Sequence, residues 1–157
     1  MSEGKKTSPH GTSPSLNLGR LLIELQRLER YPQVFGEAGP MTPSEIHTID
    51  AIGMTEGMPM SEVASRLNVT KGAVTQIVTR LEAKDLVKRF SHPEDSRITL
   101  IALKKLGISA YEAHLKVHQE FYNEFRQEFS ESEMEMLDKV ILRLSDFFTH
   151  YNKQHYV

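Results

Sequence analysis

His114 and His118 stand four residues apart in the run YEAHLKVH. On an α-helix that separation puts two side chains ~6 Å apart along the axis and roughly 40° apart around it, so both imidazoles project from one face. Two such nitrogens suit a divalent cation of the zinc type, which takes imidazole and carboxylate donors in a four-ligand shell. Paired helical histidines also occur in zinc hydrolases, where a glutamate general base follows the first histidine in the order H-E-x-x-H. Here Leu115 holds that place, and no glycine-rich phosphate loop or nucleophile elbow occurs elsewhere. A metal-dependent hydrolase is therefore the weaker alternative, and the chain is read as a non-enzyme. A blander alternative also stands: His118 lies on an apolar stripe between Leu115 and Tyr122, where it would be a hydrogen-bonded packing residue.

A second group of residues suits recognition rather than catalysis. In TKGAVTQIVTR, residues 70–80, the apolar positions Val74, Ile77 and Val78 fall on one side of a helix, leaving Lys71, Thr75, Gln76, Thr79 and Arg80 on the others. Gln76 has the donor and acceptor pair that matches an adenine edge, and the threonine methyls can meet thymine. Lys71 and Arg80 can neutralise phosphates or contact guanine. Thr70 caps the helix, and Gly72 and Ala73 are small enough to let its first turn approach a duplex, with free N–H groups and a favourable dipole toward phosphate.

These residues need elements to hold them. Leu18, Leu21, Leu22, Leu25 and Leu28 predict an amphipathic helix ending near Tyr31-Pro32, followed by a loop with Gly36, Gly39 and Pro40. Thr42-Pro43-Ser44-Glu45 is a capping-box sequence that opens a second helix to Gly53, buried through Ile46, Ile49 and Ile52. After a turn at EGMP, a short third helix (Met60, Val63, Ala64, Leu67) breaks at Asn68-Val69 before the fourth, so that the two form a helix-turn-helix. Leu86 to Phe90 and Ile98 to Leu103 predict strands around the tip SHPEDSR, and this basic hairpin (Lys88, Arg89, Arg97) is wing-like. Its tip could put Arg97 into a minor groove, oriented by Asp95. Two long helices close the chain, about 104–129 and from the capping sequence at Ser130 onward, with more apolar surface than a small core covers.

Composition sets the limits. The absence of cysteine excludes disulfides and thiolate ligands, and no apolar run approaches the ~18 residues of a membrane span. A cytoplasmic location without membrane contact is expected. Residues 1–15 are rich in Ser, Gly, Pro and Lys and are expected to form a flexible tail, His10 included. The net charge of −2 is unevenly spread: residues 66–105 hold nine Lys or Arg against four acids, a basic centre in an acidic surround. One face is expected to meet a polyanion, though a winged helix used for protein contact without DNA is the alternative.

The run MSEVASRLNVTKGAVTQIVTRLEAKDLVKRFSHPEDSRITLIALKKLG resembles the winged-helix core of MarR-family transcriptional regulators in its helix-turn-helix, its D-x-R wing and its closing glycine. The likeness extends over about residues 16–150. It implies a mainly α fold with a small β-hairpin wing, a winged helix over about 43–103, and dimerisation helices from both termini over about 16–31 and 104–152, in one domain from 16 to 157. It further implies a homodimer on a pseudo-palindromic operator, acting as a repressor, with affinity for double-stranded DNA set by an effector. By position, Lys71 to Arg80 would be the groove readers and Asp95 and Arg97 the wing pair. Where the family commonly has threonine after the second wing strand, this chain has Lys104.

The histidine pair gains meaning from the same resemblance. Zinc-responsive MarR members carry a pair with this spacing after the wing, joined to a histidine in the second helix and a carboxylate in the first. His47 lies at the matching place, and Glu29 lies eighteen residues before it. The implied ligands are His47, His114 and His118, with Glu29 as the weakest. Ala113 departs from the glutamate those members have before the first paired histidine, Glu112 lying one place earlier, and the cysteine some of them use is missing. No cofactor is required. Zinc or another divalent metal is the expected effector, a small aromatic or lipophilic ligand the alternative.

Overall fold

The computed structural model describes residues 14–155, and the side chains of 16–151. Most of the expected tail, with His10, lies outside the described residues; Pro14 and Ser15 already belong to the first helix, α1 (Pro14–Leu28). The loop expected after it holds more order than its glycines suggest. Strands β1 (Gln33–Val34) and β2 (Pro40–Met41) pair antiparallel around one 3-10 turn, Gly36–Ala38.

Helix α2 (Pro43–Ile52) starts as its sequence requires. The Glu45 N–H donates to the Thr42 hydroxyl at 3.3 Å, and the Thr42 N–H donates to the Glu45 carboxylate at 2.9 Å, completing the capping box. Gly53 ends the helix with φ +61°, a conformation that costs glycine little. EGMP is not a plain turn: Met58–Pro59 forms β3 before α3 (Met60–Leu67). A two-residue strand has no periodicity to betray it, and Pro59 is tolerated because β3 is an edge. Asn68 then takes the left-handed conformation that closes α3, and Thr70 accepts from the Ala73 N–H at 3.2 Å to open α4 (Lys71–Ala83).

The wing strands are β4 (Val87–Ser91) and β5 (Thr99–Leu103), antiparallel with Arg89 opposite Ile101. The hairpin expected from sequence is therefore part of a three-stranded sheet in the order β3-β5-β4. Ile49 and Ile52 of α2, Val63 of α3, Val74, Val78 and Leu81 of α4, Leu86 and Ile101 are buried in one core. Each such side chain contributes about 1.5–3 kcal/mol of transfer free energy, and together they fix α4 and the wing to one support.

Helix α5 (Lys105–Glu128) begins against that support. A Cβ on Gly107 would stand 2.0 Å from the Leu86 carbonyl oxygen, so the closing glycine is there for close approach. Lys104 precedes the helix without capping it by a hydroxyl; its ammonium pairs instead with Asp85, which has φ +59°. The chain divides into two compact units between Ala113 and His114, within α5. In the second unit the rest of α5 is followed by α6 (Glu131–His155), which starts at Ser130; the Glu133 carboxylate accepts from the Ser130 N–H at 2.8 Å. None of the described helices is long and apolar enough to cross a membrane.

Candidate nucleic-acid interface

Burial of Val74, Ile77, Val78 and Leu81 turns the opposite side of α4 to solvent. Lys71, Gly72, Thr75, Gln76, Thr79 and Arg80 are exposed there, as expected, with Thr70 at the cap and Ala73 half-buried. The two threonines are less available than their exposure suggests. Thr75 donates its hydroxyl proton to the Lys71 carbonyl at 2.9 Å, and Thr79 donates to the Thr75 carbonyl at 2.8 Å. Such back-bonding is usual for helical threonine and leaves the methyl and a lone pair facing out.

The wing tip holds one arginine outward. Arg97 donates from Nε to Asp95 Oδ1 and from Nη2 to Asp95 Oδ2, each at 2.9 Å, and its backbone N–H donates to Oδ1 at 3.1 Å. The side-chain bonds from Arg97, then its backbone N–H, hold the Asp95 carboxyl below the usual carboxylate range, and the Arg97 guanidinium is pushed up in turn. The Arg97 side chain is 89% exposed, so the pair contributes little to stability. Its consequence is geometric: a planar, fork-shaped cation is displayed at the tip in one orientation.

Several neighbouring cations are bound by the protein itself. Lys84, at the end of α4, donates to Glu45 Oε2 at 2.9 Å and to the Pro40 carbonyl at 3.3 Å, while Arg80 Nε stands 3.9 Å from Glu45 Oε1. Arg66 pairs with Glu62 and Arg89 with Glu82. Among the described residues no carboxylate lies within ion-pairing distance of Lys71 or Lys88, so the basic centre is weaker than its formal count and is anchored at Lys71, Lys88 and the outward Arg97. Sequence reasoning missed the roles of Glu45, Lys84 and Arg89. A capping-box glutamate and two strand or helix cations carry no local sign of partners 39 and 7 residues away.

The expected metal ligands come as two pairs. Glu29 Oε1 lies 3.8 Å from His47 Nε2, both side chains exposed, and the His114 and His118 rings meet edge to face with centroids 4.5 Å apart. The packing alternative for His118 is not met, because His118 is exposed and His114 is the buried one.

Comparison with known proteins gives the arrangement its class. The sequence model of the MarR family matches residues 41–99, which run from the α2 cap through both wing strands. Over those residues the chain carries a MarR-family domain. Among the relatives, the HTH-type transcriptional regulator YdgJ of Bacillus subtilis is 28% identical over 125 residues, 79% of this chain and 76% of that protein. Regulator AdcR of Streptococcus pyogenes is 30% identical over 84 residues, 52% of this chain and 57% of AdcR. The structure of Streptococcus pneumoniae FabT in complex with DNA superposes with a TM-score of 0.66 at 28% identity, covering 87% of this chain and 92% of FabT. The MarR fold and these relatives are those of transcriptional regulators, which are not enzymes, so the hydrolase alternative is set aside.

Proposed function

We propose that this MarR protein binds a pseudo-palindromic duplex operator as a homodimer and represses transcription until an effector changes its affinity. The observation that carries this reading is the pairing of two arms on one core: the solvent face of α4 and a wing tip that displays Arg97 on Asp95. A helix with short polar side chains fits a major groove, and an arginine on a wing fits the adjacent minor groove. Thr70, Gly72 and Ala73 bring the start of α4 close to the backbone, Lys71 and Arg80 meet phosphates, and Gln76 reads a base edge beside the methyls of Thr75 and Thr79. The DNA complex of FabT supports the same use of this fold. Exposed Leu21, Leu22, Leu25 and Leu28 on α1, and Val140, Ile141, Phe147 and Phe148 on α6, support a second copy as cover for both termini.

The effector in this reading is a divalent metal ion of the zinc type. His47, His114 and His118 supply nitrogen and Glu29 a carboxylate, the donor set such an ion accepts. Their fit is supported within each pair: the Glu29 carboxylate already faces His47, and His114 and His118 share one helix face. Held by these residues, such an ion would supply the signal that sets DNA affinity. A small lipophilic effector is the second reading, favoured by an open apolar recess of about 300 Å³ between Phe125, Phe129, Met134 and Val140.

Selection from a random duplex pool, followed by anisotropy titration with and without a chelator, tests both levels. A discrete operator is expected, with affinity that changes on zinc repletion in wild type and not in His114→Ala/His118→Ala. Failure to select any duplex overturns the DNA reading and leaves a protein-contact role for the winged helix. Metal indifference overturns only the effector.

A further inference from the structure

Arg89 is a basic residue of the wing, yet its guanidinium is engaged by α4. Its Nη2 donates to the Thr79 hydroxyl oxygen at 2.7 Å and to the Thr75 carbonyl at 3.2 Å. Its Nε lies 3.2 Å from Glu82 Oε2, and its backbone N–H donates to Glu82 Oε1 at 3.3 Å. Residues 75, 79 and 82 form one stripe of α4 at helical spacing, so a single guanidinium gathers groups from residues about two turns apart. The side chain is only 28% exposed. A phosphate would have to displace these partners to reach it.

Thr79 is committed from both sides by this contact. Its proton goes to the Thr75 carbonyl and a lone pair takes Arg89, which leaves one lone pair and a methyl for anything outside. From Arg89 the β4 strand leads straight into the tip that displays Arg97, eight residues on. The angle of the wing against α4 is therefore set where Arg89 is seated.

We infer that Arg89 is a positioning residue, seated on Thr79, Thr75 and Glu82, that fixes the wing so that Arg97 and the α4 face engage one duplex together. The Thr79 hydroxyl then serves operator binding as the seat for Arg89 and does not itself read bases. The inference rests on the DNA reading above and deepens it. Wing and helix contacts cooperate because the seat removes the freedom of the hairpin before binding, which a planar guanidinium held by Thr79 and Thr75 beside the Glu82 carboxylate does better than a compact ammonium.

The test uses the full chain and a duplex selected with wild-type protein, measured for wild type, Thr79→Val, Arg89→Lys, the double variant, and each combined with Arg97→Ala. Arg89→Lys keeps the charge and loses the fork; Thr79→Val keeps the shape and loses the acceptor. Each single change is expected to lower affinity about tenfold, the worth of one charge-assisted hydrogen bond. The double should be no weaker than either single, and Arg97→Ala should cost much less in the Arg89→Lys background than in wild type. Base preference and the slope of affinity against salt should stay as in wild type. Additive losses, or a base preference altered by Thr79→Val alone, would overturn the seat. So would a salt slope shallower by about 0.9 in Arg89→Gln, which would mark Arg89 as a phosphate ligand. Thermal melting of every variant separates these results from unfolding, and absence of wild-type binding to any duplex would instead sink the DNA reading itself.

Discussion

Gly107 and Gly72 differ only in what surrounds them, and that difference separates a residue kept for folding from one suited to contact. A methyl at 107 meets the Leu86 carbonyl oxygen at 2.0 Å, a backbone atom that cannot rotate aside. Gly107→Ala is expected to destabilise by about 1–3 kcal/mol, the usual cost of overpacking, as read by denaturant unfolding. A methyl at 72 finds only the Thr70 hydroxyl oxygen, at 3.9 Å. Gly72→Ala should keep or slightly raise the melting temperature, since alanine is the better helix former, while weakening DNA binding where the α4 backbone approaches a duplex. The sequence marks both glycines as notable, one as a closing residue and one as a small first-turn residue, but the reason for the first needs the fold. Leu86 is twenty-one positions away, and only the packing of α5 on the end of β4 brings its carbonyl there.

At the scale of elements, Glu45 binds the start of α2 to the end of α4. Buried to 1% exposure, its carboxylate accepts from the Thr42 N–H and from Lys84, with Arg80 beyond. Burial raises its pKa, but the Lys84 hydrogen bond, the Thr42 N–H, the Lys84 charge and the Thr42 hydroxyl outweigh that and leave it below the ordinary carboxylate value. A carboxylate whose folded pKa is depressed stabilises fully above its unfolded value of 4.5 and loses that stabilisation as pH falls through the lower, folded one. Glu45→Gln should therefore cost about 1–2 kcal/mol near pH 7, discounted for the half-exposed lysine, and the cost should vanish in acid. Melting curves of both proteins from pH 7 to pH 3 check this; a constant difference across that range would contradict it. The capping half of this residue was legible, because Thr42 and Glu45 are local in sequence. Its ionic half, like the seat of Arg89 and strand β3, was not, since each depends on partners that only tertiary packing selects. Helix starts were read correctly at Thr42 and Thr70 for the opposite reason: a cap acts within three residues.

For the whole molecule, the uneven charge distribution proved the informative part of the composition, although the fold tempers it. Among the described residues, Arg66, Arg80, Lys84, Arg89 and Lys104 face acids, while Lys71 and Lys88 do not and Arg97 is held outward on Asp95. The long terminal helices were legible from their apolar spacing, and their exposed leucines and phenylalanines are the surface a homodimer would cover. The expected metal ligands gather as Glu29 with His47 and His114 with His118, a grouping that the spacing of the second pair announced and that of the first could not. The central claim is that the α4 face and the wing tip neutralise DNA phosphates and hold one operator between them. Its most direct measurement is the affinity of wild type and of Lys71→Ala/Arg80→Ala/Arg97→Ala for the selected duplex over a range of salt. The account predicts a steep linear fall of log affinity with log salt in wild type, and in the triple variant a large loss of affinity with a slope shallower by about 0.9 per phosphate contact removed. Undiminished affinity with an unchanged slope would contradict it.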